Sequence, residues 1–151
     1  MLRGRPVAAA VVLVLLAASH AEAAKCSVSA TAVSFGSYNV FNAAPVDSTG
    51  TVRYNCNGGA KNLVIAISRG QSPTFMPRTL KKGTESLTYN LFQDPSRTVV
   101  WGDGTGGSQY FYAGDPANND DVDVTIFGRI PPSQDITAGA YSDSVTVMIL
   151  F

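Results

Sequence analysis

From Ser142 to Met148 polar and apolar positions alternate without interruption. Ser142, Ser144, Thr146 and Met148 fall on one face and Asp143, Val145 and Val147 on the other. Ile149 and Phe151 continue the second face, while Leu150 makes the end apolar on both sides. Alternation with β-branched residues predicts a strand, and two-sided apolarity predicts one covered on both faces. The sequence ends there, so the strand's free edge needs an earlier strand or another molecule to cover it.

The same reading gives further strands along the chain. Cys26–Ala32 alternates small apolar and hydroxyl residues, and Val33–Gly36 extends it. Thr51–Cys56 places Val52, Tyr54 and Cys56 on one face, and the turn signal Asn57-Gly-Gly follows. Leu63–Ile67 is a short continuous apolar run, as in a strand buried on both sides. Residues 68–86 read mostly as loop, with a short strand at Arg78–Leu80. Leu87–Phe92, Thr98–Trp101, Gln109–Tyr112 and Val122–Phe127 complete the set, and Pro131-Pro132 ends the last of these. Short strands between Gly, Pro and Asn turns, with no amphipathic helix, predict an all-β sandwich in one domain.

The first residues change the picture of the compartment. Arg3 and Arg5 precede the apolar run Val7–Ala18, and Ala21-Glu22-Ala23 has the small-x-small cleavage pattern. Residues 1–23 therefore read as a secretory signal peptide cut after Ala23, with a cut after Ala21 as the alternative. The run is too short for a membrane span, and Lys25 before Cys26 fits a lipoprotein signal poorly. Residues 24–151 form the mature domain, which keeps nine basic and ten acidic side chains once Arg3, Arg5 and Glu22 are gone. That near balance gives no support for nucleic-acid binding. Cys26 and Cys56 are an isolated pair in an exported chain, so a single disulfide is expected, closing a loop of about 30 residues and contributing roughly 3–4 kcal/mol.

Candidate chemistry is sparse. The single histidine, His20, lies in the signal peptide, which leaves the mature domain without an imidazole for a triad or a metal. No cofactor motif is present, because the glycine-rich stretch 102–107 lacks a Gly-Lys-Ser/Thr ending. Asp115 and the run Asn118-Asn-Asp-Asp-Val-Asp123 are dense in hard oxygen ligands, but they lack the EF-hand spacing and its closing glutamate. Paired-carboxylate glycosidase chemistry needs two groups facing across a sugar, which one loop does not supply. Trp101, Tyr110 and Tyr112 are candidates either for the core or for a sugar-stacking platform. Phe75 and Met76, between Pro73 and Pro77, either cap one end of the sandwich or stand exposed.

Several segments taken in order resemble the spore coat protein U domain family. They are Cys26-Ser-Val-Ser-Ala, Val33-Ser-Phe-Gly-Ser-Tyr38, Thr49-Gly-Thr-Val with Cys56, and Leu87-Thr-Tyr-Asn-Leu. Arg97 with Trp101-Gly-Asp-Gly-Thr105, Phe127-Gly-Arg-Ile-Pro131 and Ala138-Gly-Ala-Tyr-Ser-Asp-Ser-Val-Thr-Val complete the match. The resemblance implies a non-enzymatic secreted subunit of the archaic chaperone–usher pilus type, or a related coat protein, displayed on the cell surface, a pilus or a spore coat. It implies an immunoglobulin-like sandwich lacking its last strand. A periplasmic chaperone lends that strand, an outer-membrane usher assists assembly, and a neighbouring pilus or coat subunit then replaces it.

On this reading Val145, Val147, Ile149 and Phe151 line the acceptor groove, with Thr146, Met148 and Leu150 as the alternative face. A donor inserting about four apolar side chains contributes roughly 6–12 kcal/mol, comparable to the whole stability of a typical domain. Repeating subunits of the family carry a donor segment ahead of the first cysteine. Here only Ala24 and Lys25 precede Cys26, which points to a tip or otherwise non-propagating subunit. Exchange of Val28–Ala32 between molecules is an alternative that the adjacent disulfide disfavours. A self-contained carbohydrate-binding module is the competing function.

Overall fold

The computed structural model describes residues 23–151 and forms a two-layered, all-β, immunoglobulin-like sandwich. Apart from Ala23, the expected signal peptide lies outside the described residues. Eight strands run β1 Lys25–Thr31, β2 Val46–Asn57, β3 Leu63–Ile67, β4 Arg78–Lys82, β5 Glu85–Phe92, β6 Phe111–Gly114, β7 Asp121–Ile130 and β8 Val147–Leu150. One sheet has the order β1-β2-β7-β5-β4 and the other β6-β3-β8, and every ladder is antiparallel. No described helix is long and apolar enough to cross a membrane.

The core lies between the sheets. Val52, Tyr54 and Cys56 of β2 face Leu63, Ile65 and Ile67 of β3, with Leu87, Leu91, Ile126, Ile130 and Trp101 filling the space. The period-2 face of β2 and the continuous apolar run of β3 thus play the parts their patterns predict. The disulfide joins Cys26 to Cys56, which stand directly opposite each other in the β1–β2 ladder.

Val33–Gly36 does not extend β1, which ends at Thr31, and β6 runs Phe111–Gly114 rather than Gln109–Tyr112. Three further elements differ. β2 begins five residues earlier than its apolar alternation does, because Val46–Gly50 is held by pairing with β7 and by a two-point contact of Arg129 to Asp47, 2.7 and 2.8 Å. Thr98–Trp101 is not a strand. Val100 and Trp101 make only isolated bridges to Phe92 and Gln109, and both side chains enter the core. The closing strand is shorter than its alternation. Ser142 exchanges backbone hydrogen bonds with Lys81 of β4, and only from Thr146 does the chain join β3. The segment therefore crosses from one sheet to the other, and the regular ladder is confined to Val147–Leu150.

Candidate functional site: an open strand edge and its groove

Backbone direction along residues 142–150 defines the site. The Ser68 N–H donates to the Thr146 carbonyl at 2.8 Å, and the Thr146 N–H donates to Ser68 Oγ at 2.8 Å. In an antiparallel ladder successive residues turn their N–H and C=O to opposite edges. Thr146, Met148 and Leu150 therefore bond β3, while Val145, Val147 and Ile149 present their backbone groups to the other edge. Among the described residues no strand pairs with that edge. The side chains of the same three residues turn inward and pack on the core, yet they are only half-buried. Met148 and Leu150 are exposed on the outer face, and Phe151 lies beyond the end of β8, 50% exposed.

A groove of 860 Å³ reaches Asp143, two residues before Val145, and none of Val145, Val147, Ile149 or Phe151, the expected acceptor-groove residues, lines it. Residues 32–40 form one wall, residues 136–143 the other, and Leu80, Leu87 and Ile130 the floor. The first wall rests on the large sheet because two positions there are glycine. A Cβ on Gly128 would stand 2.6 Å from Val33 Cγ1 and 2.8 Å from Phe35 Cζ, and one on Gly50 would meet Val33 Cγ2 at 2.9 Å. The Phe35 ring packs edge-on against Tyr89, 5.9 Å between centroids.

Polar contacts fix the second wall. The Gln134 amide accepts from the Thr88 N–H at 2.7 Å and donates to the Thr88 carbonyl at 3.0 Å, standing in for a strand neighbour where β5 runs past β7. Tyr38 Oη donates to the Pro131 carbonyl and accepts from the Gln134 N–H, which ties the two walls together. Glu85 accepts from the hydroxyls of Thr137 and Tyr141 and pairs with Lys82 at 3.1 Å. These contacts, the Thr137 hydrogen bond foremost, hold its carboxyl down at about 2.

The other candidate residues are dispersed. Trp101 is 0% exposed, donates Nε1–H to the Ile65 carbonyl at 2.9 Å and packs against Phe111. A sugar-stacking role for Trp101 is thereby corrected, since no ring face reaches solvent. Tyr110 and Tyr112 do reach it, 48% and 57% exposed, and Tyr112 donates to Asn62 Oδ1. In the acidic stretch Asp123 takes a two-point contact from Arg53, Asp121 accepts from Asn55, and Asp115 accepts from Lys61 and the Asn62 N–H. No group of three or more metal-ligating side chains gathers among the described residues. Phe75 is buried and Met76 half exposed, so that pair divides its two expected roles.

The pattern gave no warning of Arg78. Its side chain is wholly buried, with guanidinium bonds to the carbonyls of Ser68 (2.9 Å) and Trp101 (2.6 Å) and to Asn90 Oδ1 (2.8 Å). Burial lowers its pKa, but the ring of acceptors keeps an arginine charged. The hub joins the end of β3, the Trp101 loop and β5. A lone arginine opening a short strand carries no periodicity by which to recognise it.

Similarity to known proteins agrees with this architecture. The model of the Spore Coat Protein U domain matches residues 12–148. "Protein U" of Myxococcus xanthus is 29% identical over 133 residues, covering 79% of this chain and 71% of that protein. A chain in the crystal structure of the CsuC–CsuE chaperone–tip adhesion subunit pre-assembly complex, from the archaic chaperone–usher Csu pili of Acinetobacter baumannii, shares the fold. Its TM-score is 0.59 at 24% identity, over 85% of this chain and 40% of that one. With the family match running from residue 12 to residue 148, this chain belongs to the spore coat protein U domain family.

Proposed function

We propose that this protein is a non-enzymatic, surface-displayed subunit of the chaperone–usher type, completed by a strand from another molecule. The observation that carries the reading is the open edge of β8, where inward-facing Val145, Val147 and Ile149 pack on the core yet stay half-buried with no strand beside them among the described residues. Strand addition satisfies such an edge through ladder hydrogen bonds, and alternate side chains entering the groove set the register. The partners are a periplasmic chaperone, an outer-membrane usher and other pilus or coat subunits. Phe151, just beyond β8 and half exposed, contributes at the end of the acceptor edge.

Residues 1–23 act as the signal peptide, cut after Ala23. Lys25 already pairs with Asn57 at the head of β1, so the mature N-terminus has no free segment to donate. That supports a tip or otherwise non-propagating subunit, one that accepts a strand without passing one on.

The test is to purify the mature domain alone and with a periplasmic chaperone or an apolar donor peptide. Insertion of four side chains, about 6 kcal/mol at the lower bound, should raise Tm by roughly 20 °C. A lone domain of full stability, unchanged by either addition, would sink the reading. Exposure of Tyr110 and Tyr112 on the outer face supports carbohydrate contact as a second reading. Glycan-array binding abolished by Tyr112→Ala, with the fold intact, would favour it.

A further inference from the structure

One side-chain polar atom in the described residues is buried without a hydrogen-bond partner, the Oδ1 of Asn57. A buried side-chain carbonyl without a donor is uncommon in a native fold and needs a physical explanation. Its surroundings are specific. Asn57 closes β2 opposite Lys25, one step beyond the Cys26–Cys56 disulfide. The next residue, Gly58, has φ +70°, and a Cβ there would stand 2.8 Å from the Ala23 carbonyl oxygen and 2.9 Å from Ala24 Cα. The peptide bond between Ala23 and Ala24 thus lies against the turn that begins at Asn57, and Ala24 itself packs on the core.

We propose that Asn57 is the receptor for the mature N-terminus: cleavage after Ala23 creates an α-ammonium group on Ala24 that donates to the orphaned Oδ1. The inference rests on the cleavage position given under Proposed function and adds a binding role for a residue outside the groove. While the Ala23–Ala24 bond is intact, Ala24 offers a single amide N–H whose direction is fixed by the backbone. Hydrolysis of that bond leaves a carboxylate on the departing peptide. It also leaves on Ala24 an amine that is mostly protonated near neutral pH, with three donors free to rotate. A charged donor also makes a stronger bond than a neutral amide. The disulfide holds the neighbouring residues of both strands, so the amine is delivered to Asn57 with little loss of freedom. Export, cleavage and completion of this corner are thereby coupled. The charged groups on the strands and loops meeting here include Lys25 of β1, Asp120 and Asp121 at the head of β7 and the exposed Lys61–Asp115 pair.

The experiment uses protein exported and processed in a Gram-negative host. Intact mass should show a chain starting at Ala24; a start elsewhere overturns the cleavage position and this assignment with it, while leaving the groove reading untouched. Two residues, Gly-Ser, are then inserted between the cleavage site and Ala24 to carry the amine away, with Asn57 present and with Asn57→Ala. The insertion should lower Tm by several degrees when Asn57 is present and leave Asn57→Ala unchanged. Acylation of the α-amine should be about tenfold slower in the native protein than in Asn57→Ala. Asn57→Asp, which keeps shape and acceptor, should retain that protection and guards against misfolding of the alanine variant. A chain starting at Ala24 with additive effects on Tm, or with equal acylation rates, would overturn the proposal and leave the cleavage position standing.

Discussion

β7 and β8 carry similar alternating sequences, and their surroundings could hardly differ more. β7 pairs along its length with β2 and again with β5, and Ile126 and Ile130 are buried. β8 pairs with β3 alone, and its inward residues Val147 and Ile149 remain half-buried. The contrast shows that sequence alternation specifies which face turns inward. How completely that face is buried depends on what stands at the next edge.

Four experiments test the difference between the two strands. Cys26→Ala with Cys56→Ala removes the clamp on the fully paired side and should cost about 3–4 kcal/mol, read by urea denaturation. A loss below about 1 kcal/mol would mean that the β1–β2 ladder holds without it. Ile130→Ala, in the closed region, should cost about 2–5 kcal/mol, whereas Ile149→Ala should cost less than about half of that in the isolated domain. With a donor peptide bound the two penalties should converge. Equal penalties without donor would remove the distinction between the strands.

Gly128→Ala pushes a methyl into Val33 and Phe35 and should cost about 1–3 kcal/mol while reshaping the groove wall. Its diagnostic is weaker donor-peptide affinity, and an unchanged affinity would separate that wall from strand capture. The smallest effect concerns Glu85. Its folded-state pKa is depressed to about 2 from an ordinary 4.5, so its contribution is fully present above 4.5 and lost as pH falls toward 2. Glu85→Gln should flatten Tm against pH across that window, with little change at pH 7. The carboxyl is solvent-exposed, so the effect should be modest.

The fold class was legible because β2, β3, β5 and β7 state their faces in plain alternation or apolar runs. The cysteine pair was legible from its isolation in a chain whose first residues read as a signal peptide. Trp101 was ambiguous, since an aromatic beside a glycine-rich stretch suits a surface platform and a core equally. Its burial follows from the bridge of Trp101 to Gln109 and from the Ile65 carbonyl 36 residues away, neither of which is local. The division of residues 142–150 between two sheets was hidden for a related reason. Alternation is the same whether the neighbour is β4 or β3. The groove's far wall was also invisible, because Val33–Tyr38 takes its place from glycines at 50 and 128, far along the sequence.

The segment that crosses from Lys81 to Ser68 has a consequence for the order of folding. β3 receives its β8 neighbour from about 80 residues later, and β4 its Ser142 contact from about 60 residues later. Such distant pairings form slowly, because a long loop must close before any contact compensates for it. The large sheet can assemble around β2, β7 and β5 while β3 keeps one side bare. Residues 142–150 act as the latch of the domain, and until they dock it is a half-built sandwich exposed to its neighbours.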